Sequence, residues 1–145
     1  MLNRTTLAPA SGLRHGGYIL WEASPSPAVI LIGTGSEVHI ALEAGKLLQD
    51  KGVAARVVSL PSWGLFDAQP AEYRNMVLPP NIRARISIEA AMPLGWERYV
   101  GLDGIAIGLS RFGVSAPGKV IYDKLGLTAQ HMVDEALKLL QGGRA

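Results

Sequence analysis

Cysteine is absent from all 145 residues. That removes a disulfide framework, a thiolate-ligated zinc or iron–sulfur site, and a thiol nucleophile. It fits a reducing compartment. Charge is sparse as well: charged residues make up 18%, and 14 Lys and Arg face 12 Asp and Glu, a net of +2. The isoelectric point near 9.1 therefore overstates how basic the chain is. Arg56, Arg74, Arg83, Arg85, Arg98 and Arg111 are scattered, and aromatic residues are only 6%. Nucleic-acid binders concentrate positive charge on one face and add stacking or groove-reading groups, so nucleic acid is not an expected partner. Long apolar runs are missing too. Ala28 to Gly33 is strand-sized, well short of the roughly 18 residues a spanning helix needs. Met1 to Thr5 leads into no hydrophobic core of a signal peptide. The expectation is a soluble, cytoplasmic chain with no membrane partner.

What is present is a core. Hydrophobic residues make up 48% of the chain, enough to offset the entropy of ordering it, and the length suits one domain. Leu7 to Gly17 shows no periodicity and reads as an irregular lead-in, so residues 1–15 are set apart from a domain at 16–141 and a tail at 142–145. Tyr18 to Trp21 is β-prone and is stopped by Ser24-Pro25-Ser26-Pro27. Ala28 to Ile32 is continuously apolar and rich in β-branching, as strands covered on both faces are. Thr34 and Glu37 have the spacing of a capping box opening a helix. Val38, Ala41, Leu42 and Leu48 then share one face, with His39, Glu43, Lys46 and Asp50 opposite. Gly52 supplies a left-handed stop. Ala54 to Leu60 is a second buried strand, giving strand–helix–strand spacing. Short helical pieces follow from Ser62 to Val77, broken at Pro70 and closed by Pro79-Pro80. Arg83 to Glu89 and Gly104 to Ile107 complete the strands, with Tyr18 to Trp21 at an edge. Pro117 to Leu125 and Thr128 to Gln141 are closing helices, the last ended by Gly142-Gly143. The fold class is α/β, one domain in three layers.

Several positions are candidates for chemistry. Gly33-Thr34-Gly35 joins a buried strand to a helix N-terminus, where unpaired N–H groups favour anions. Val38 stands where a dinucleotide fingerprint has its third glycine, and no Gly-Lys-Ser/Thr follows, so the turn is either an anion site or a tight βα connection. Ser115 in Gly113-Val114-Ser115-Ala116-Pro117 superficially matches a nucleophile elbow but reads better as a helix N-cap. His15, His39 and His131 lack metal-site spacing and are expected on solvated surfaces. Glu89, at the end of an apolar strand, lies where open α/β sheets place ligands; it is either structural or catalytic, and if buried needs a partner such as a helix N-terminus or Arg98.

Taken in order, the motifs become specific. Ile32 to Val38, Val57 to Trp63, Tyr73-Arg74, Val77 to Pro80, Ile88 to Ala91, Gly95 to Gly104 and Phe112 to Pro117 together resemble the C-terminal domain of bacterial transketolases. Gly16 to Leu20 is similar to the segment that begins that domain, and the resemblance runs from about Ala8 to Leu140. It implies a three-layer α/β/α sandwich with a five-stranded mixed sheet whose first strand is antiparallel. It also implies a whole enzyme that moves a two-carbon ketol unit between ketose and aldose phosphates, using thiamin diphosphate and a divalent metal, magnesium or calcium. The motifs for that cofactor belong upstream in the family and do not occur here. Arg4 lacks the glutamine that follows the family's phosphate-contacting arginine and fits linker instead. The implied role is a non-catalytic domain that binds no cofactor by itself and packs against upstream transketolase domains or a separate subunit carrying them. The alternative is a small-ligand module binding an anion or nucleotide through Thr34, Gly35, Ser36, Glu89 and Trp96.

A domain of this kind presents the surface that its neighbours cover. Trp63, Phe66, Trp96, Arg98 and Tyr99 are the expected docking residues, because large side chains in loops often anchor interfaces. Folding back onto their own sheet is the competing expectation. In isolation the chain is expected to associate weakly, as a homodimer.

Overall fold

Two strands without a polar face set the centre of the molecule. In the computed structural model, which describes residues 2–3, 5–109 and 118–142, β2 (Val29–Gly33) and β3 (Ala55–Ser59) bury every residue. A strand can do so only when helices cover both faces. β2 pairs in parallel with β3 (Leu31 opposite Val57) and with β4 (Arg85–Ile88), which in turn pairs in parallel with β5 (Ile105–Ile107). β1 (Tyr18–Glu22) runs antiparallel along β3, with Tyr18 opposite Ser59 and a register irregularity between Ile19 and Trp21. The order β1-β3-β2-β4-β5 is the five-stranded mixed sheet expected, with its antiparallel strand at one edge.

Alternate residues feed two cores, as the pleat requires. Leu31, Val57, Ile86 and Ile88 pack with α1 (Val38–Asp50) and α6 (Ala129–Leu140) through Ala41, Leu48, Met132 and Ala136. Ile30, Ile32, Val58 and Leu60 pack on the other side with Phe66, Val77 and Val100. Those three come from α2 (Trp63–Asp67), α3 (Ala71–Val77) and α4 (Glu97–Val100). α5 (Gly118–Lys124) precedes α6. The result is a three-layer sandwich. Gly52 has φ +78°, the left-handed stop expected after α1.

The structure departs from the sequence expectations at several points. Thr34 makes no side-chain cap and Glu37 does not reach back, so the capping box is absent; Gly35–Glu37 is a turn of 3-10 helix instead. Among the described residues the side-chain caps are Ser62, accepting from the Leu65 N–H at 3.3 Å, and Thr128, accepting from the His131 N–H at 3.1 Å. The lead-in is not irregular throughout. Ala10–His15 is 3-10 helix, Leu7 is buried in the α1 and α6 core, and the Ala8 N–H bonds the Leu20 carbonyl at 3.0 Å. The open edge of β1 supplies that carbonyl. The Arg4, Ser115, Phe112 to Pro117 and Gly143 readings lie outside the described residues.

β4 carries one anomaly. Ser87 is fully buried, and its Oγ has no hydrogen-bond partner among the described residues. A buried polar group left unpaired costs about 1–3 kcal/mol. Ser87→Ala is therefore expected to raise stability by about 1 kcal/mol, once the small void it leaves is counted. A urea midpoint lower than that of the unmodified chain would show that Ser87 has a partner after all.

Candidate functional site at the strand ends

Parallel pairing gathers the chain's candidate residues at one edge. Gly33 lies opposite both Ser59 and Ile88, and Ile88 opposite Ile107, so the segments leaving these strands share the C-terminal end of the sheet. Thr34 to Ser36, Leu60 to Asp67 and Glu89 to Trp96 all emerge there. This is where open α/β folds bind ligands.

The βα turn is built for closeness. A Cβ at Gly33 would sit 2.8 Å from the Val38 Cα, and Gly35 has φ +58°. Both positions demand glycine on backbone grounds alone. Just beyond, Glu37 is only 5% exposed, and its Oε1 accepts hydrogen bonds at 2.6 Å from the Ser36 Oγ and from the Tyr122 Oη. A buried carboxylate thus sits at the start of α1, where the helix dipole favours negative charge. It uses the Ser36 hydroxyl and repels an incoming anion. Beside it a cleft of about 650 Å³ opens between α1 and the α5–α6 region, with Ser36, Ile40, Tyr122, Leu127 and Thr128 among its walls.

Glu89 is half-buried, and its partner is not Arg98. Its Oε2 accepts from the Trp96 Nε1–H at 2.7 Å. Arg98 turns instead to Asp67, with 2.8 Å between Nη2 and Oδ2, and its guanidinium lies 5.8 Å from the Trp63 ring centre and 5.5 Å from that of Tyr99. Asp67 also accepts from the Tyr99 Oη at 2.9 Å. The carboxylates at this edge are therefore bound within the domain.

The docking expectation is corrected for three of its five residues. Phe66, Trp96 and Tyr99 are buried, Trp96 to 1% exposure, and Trp63 packs against them half-buried. Trp63 lies 5.1 Å from Trp96 and 5.4 Å from Tyr99 between ring centres, edge to face. The cause is the poverty of this layer. α2, α3 and α4 have five, seven and four residues, and so few positions cover a sheet face only by using large rings. Arg98 remains exposed.

Two histidines are less free than expected. His39 is exposed, but half-buried His15 packs at a tilt against Tyr73 with 4.8 Å between ring centres, and His131 Nδ1 donates to the Gly126 carbonyl at 2.7 Å. Two arginines were not singled out from the sequence as functional, and the structure gives them structural roles. Arg85 donates to the carbonyls of Ile82, Leu78, Pro79 and Tyr99, and burial lowers its pKa. Arg56 does similar work on β3. A charge inside an apolar strand was the available signal, since it must be paired.

Three phenols are held protonated. Burial raises the pKa of Tyr73; burial, then the bond to Asp67, raises that of Tyr99; and the bond to Glu37 chiefly raises that of Tyr122. In the unfolded chain each returns to about 10. The folded values exceed the unfolded ones, so this stabilisation is complete below about pH 10 and lost as pH rises further. The urea midpoint is expected to fall above about pH 10, and less steeply in Tyr99→Phe. Parallel pH profiles for the two proteins would contradict the assignment.

Among the described residues no group of three or more His, Asp or Glu side chains is placed to hold a metal ion, and no helix is long and apolar enough to cross a membrane. The strand-end carboxylates make hydrogen bonds and ion pairs inside the domain, to Trp96, Tyr99, Arg98, Ser36 and Tyr122.

Comparison with known proteins places this arrangement. Residues 16–128 match the transketolase-like TK C-terminal domain family. The transketolase of Aquifex aeolicus is 39% identical over 94% of this chain and 20% of its own length, and that of Halalkalibacterium halodurans is 45% identical over 90% and 20%. Among solved structures, the Pichia stipitis transketolase in complex with sedoheptulose-7-phosphate superimposes with a TM-score of 0.85. It is 32% identical, over 94% of this chain and 20% of its own. The inactive β4 tetramer of a split-gene transketolase shares the fold at a TM-score of 0.69 and 22% identity, over 90% of this chain and 44% of its own. The chain spans about a fifth of the curated relatives it matches. It belongs to the transketolase family, of which it carries the C-terminal domain.

Proposed function

We propose that this chain serves a transketolase as a non-catalytic domain, packing against the cofactor-binding part and making no bond to substrate. The observation that supports this most is that three carboxylates brought to the strand ends are bonded within the domain: Glu37 to Ser36 and Tyr122, Asp67 to Tyr99 and Arg98, Glu89 to Trp96. A general acid or base is aimed at substrate, and these carboxylates are oriented by partners in the domain itself. The whole protein would transfer a two-carbon ketol unit between sugar phosphates, a class that includes the sedoheptulose-7-phosphate of the Pichia stipitis complex. Thiamin diphosphate supplies the carbanion chemistry of such a transfer. It and its magnesium or calcium would be held by the upstream domains or by a separate subunit carrying them. A cytoplasmic location belongs to the same proposal.

The purified chain, mixed with thiamin diphosphate, magnesium, a ketose phosphate and an aldose phosphate, is expected to show no turnover above a heat-killed control. Turnover would defeat the proposal. The cleft beside Tyr122 favours a second reading, a small-ligand module with Ser36 at its mouth. A melting-temperature shift with nucleotides or sugar phosphates, lost in Tyr122→Phe, is the result that would support it.

A further inference from the structure

We infer that the open cleft between α2, α3 and α4 is a binding site for a phosphate group, free or at the end of a monoester, held by Arg74, Arg85 and Arg98. The inference goes beyond the domain role proposed above and is tested separately from it. The cleft has a volume of about 430 Å³, and all three arginines line it together with Phe66, Leu78 and Tyr99. Small-molecule sites occupy roughly 300–1,000 Å³ and set a few polar groups against apolar walls.

The three guanidinium groups come from three elements and are tied to one another through shared neighbours. Arg85, on β4, donates from Nη1 to the Tyr99 carbonyl at 2.7 Å, and the Arg98 guanidinium lies 5.5 Å from the centre of the same Tyr99 ring. Arg85 Nη2 donates to the Leu78 carbonyl at 3.2 Å, and the Leu78 N–H donates to the Arg74 carbonyl at 2.8 Å. The Arg74 side chain, on α3, bends back toward the end of α2, where its Nε donates to the Gln69 carbonyl at 3.1 Å.

Two of these charges have no counter-charge. Arg56, Arg83 and Arg98 each pair with a carboxylate, whereas Arg74 and Arg85 pair with none among the described residues. For half-buried Arg85 this matters most: burial lowers its pKa, and an anion opposite would offset that penalty. A guanidinium carries five N–H donors. The carbonyls of Ile82, Tyr99, Leu78 and Pro79 fix Arg85 in place and leave one Nη1 donor over. Both Nη groups of Arg74 are unbonded among the described residues, as are Nε and Nη1 of Arg98. The carboxylate in the lining, Asp67, accepts from Tyr99 Oη at one oxygen and from Arg98 at the other. Donors are therefore available on three sides. A planar carboxylate is matched by one guanidinium fork, but the tetrahedral, doubly charged end of a phosphate presents oxygens to all three.

The test titrates the chain with inorganic phosphate and, separately, with glycerol phosphate, by calorimetry at about pH 8, where both are doubly charged. Chloride holds the ionic strength constant. Saturable one-to-one binding is expected, weakened about tenfold by Arg74→Gln and by Arg98→Gln. Asp67→Asn removes the opposing charge and should tighten binding, a gain that damage to the fold does not produce. Lys46→Gln removes the same charge from α1, in the other helix layer, and should change nothing. Equal affinity for the two ligands would identify a free-phosphate site, and tighter glycerol phosphate a monoester site; either upholds the inference. No saturation at millimolar phosphate would overturn it. So would an equal loss in Lys46→Gln, or acetate competing as well as phosphate does. None of these results alters the expectation that the chain alone shows no turnover.

Discussion

Arg56→Ala is expected to destabilise the domain by about 3 kcal/mol, the low end of what removing one member of a buried ion pair costs, because the Glu22 carboxylate left behind keeps partial access to water. Arg56 is 5% exposed, in the middle of β3. Its Nε donates to Glu22 at 2.8 Å, its Nη1 to the carbonyls of Met76 at 2.9 Å and Val77 at 3.2 Å, and its Nη2 to that of Pro25 at 3.4 Å. One guanidinium therefore ties the edge strand, the turn after it and the end of α3 to the central sheet. Alanine leaves a carboxylate and up to three carbonyls short of a donor, and each unpaired buried group adds about 1–3 kcal/mol of its own. The double variant Arg56→Met with Glu22→Leu separates the two contributions. Replacing a buried ion pair by apolar groups is close to neutral. Stability recovered in full would assign the loss to the stranded charge, and a persisting deficit to the carbonyls. A urea midpoint for Arg56→Ala close to that of the unmodified chain would refute the whole account.

The strands were legible because their patterns are extreme. Val29 to Ile32 and Val57-Val58 have no polar alternative, and burial on both faces follows. The edge position of Tyr18 to Trp21 was legible too, as the β-prone run left over once the parallel strands are placed, and the family resemblance supplied its antiparallel direction. Cap chemistry was not. Thr34 and Glu37 have the spacing of a capping box, yet Tyr122, 85 residues away, provides a donor for the Glu37 carboxylate. A local motif loses to a tertiary partner that no local pattern announces. The rings misled for a related reason. Trp63, Phe66 and Trp96 fall in short helical or loop segments, which usually lie on the surface. The layer above this face of the sheet contains only such segments, so their rings became its core.

Trp96→Ala is expected to cost about 3–5 kcal/mol, the usual result of deleting a buried large aromatic side chain. The indole is 1% exposed and packs edge to face with Trp63 and Tyr99. Volume is only part of the loss. Its Nε1–H holds Glu89, and that bond fixes the loop from Glu89 to Trp96, on which Met92 and Leu94 sit. Trp96→Phe keeps most of the ring and removes the donor. A hydrogen bond to a charged group contributes about 1.5–3 kcal/mol, so the phenylalanine variant should lose that amount and the alanine variant more. Glu89→Leu in the Trp96→Phe background removes the stranded carboxylate and should restore part of the loss. Guanidinium melts of the unmodified chain, Trp96→Phe, Glu89→Leu and the double variant form a double-mutant cycle, in which a coupling near zero would mean that the indole–carboxylate bond contributes nothing. A sizeable coupling makes Glu89 a structural carboxylate, whose task is to hold the rim loop in place rather than to act on a ligand.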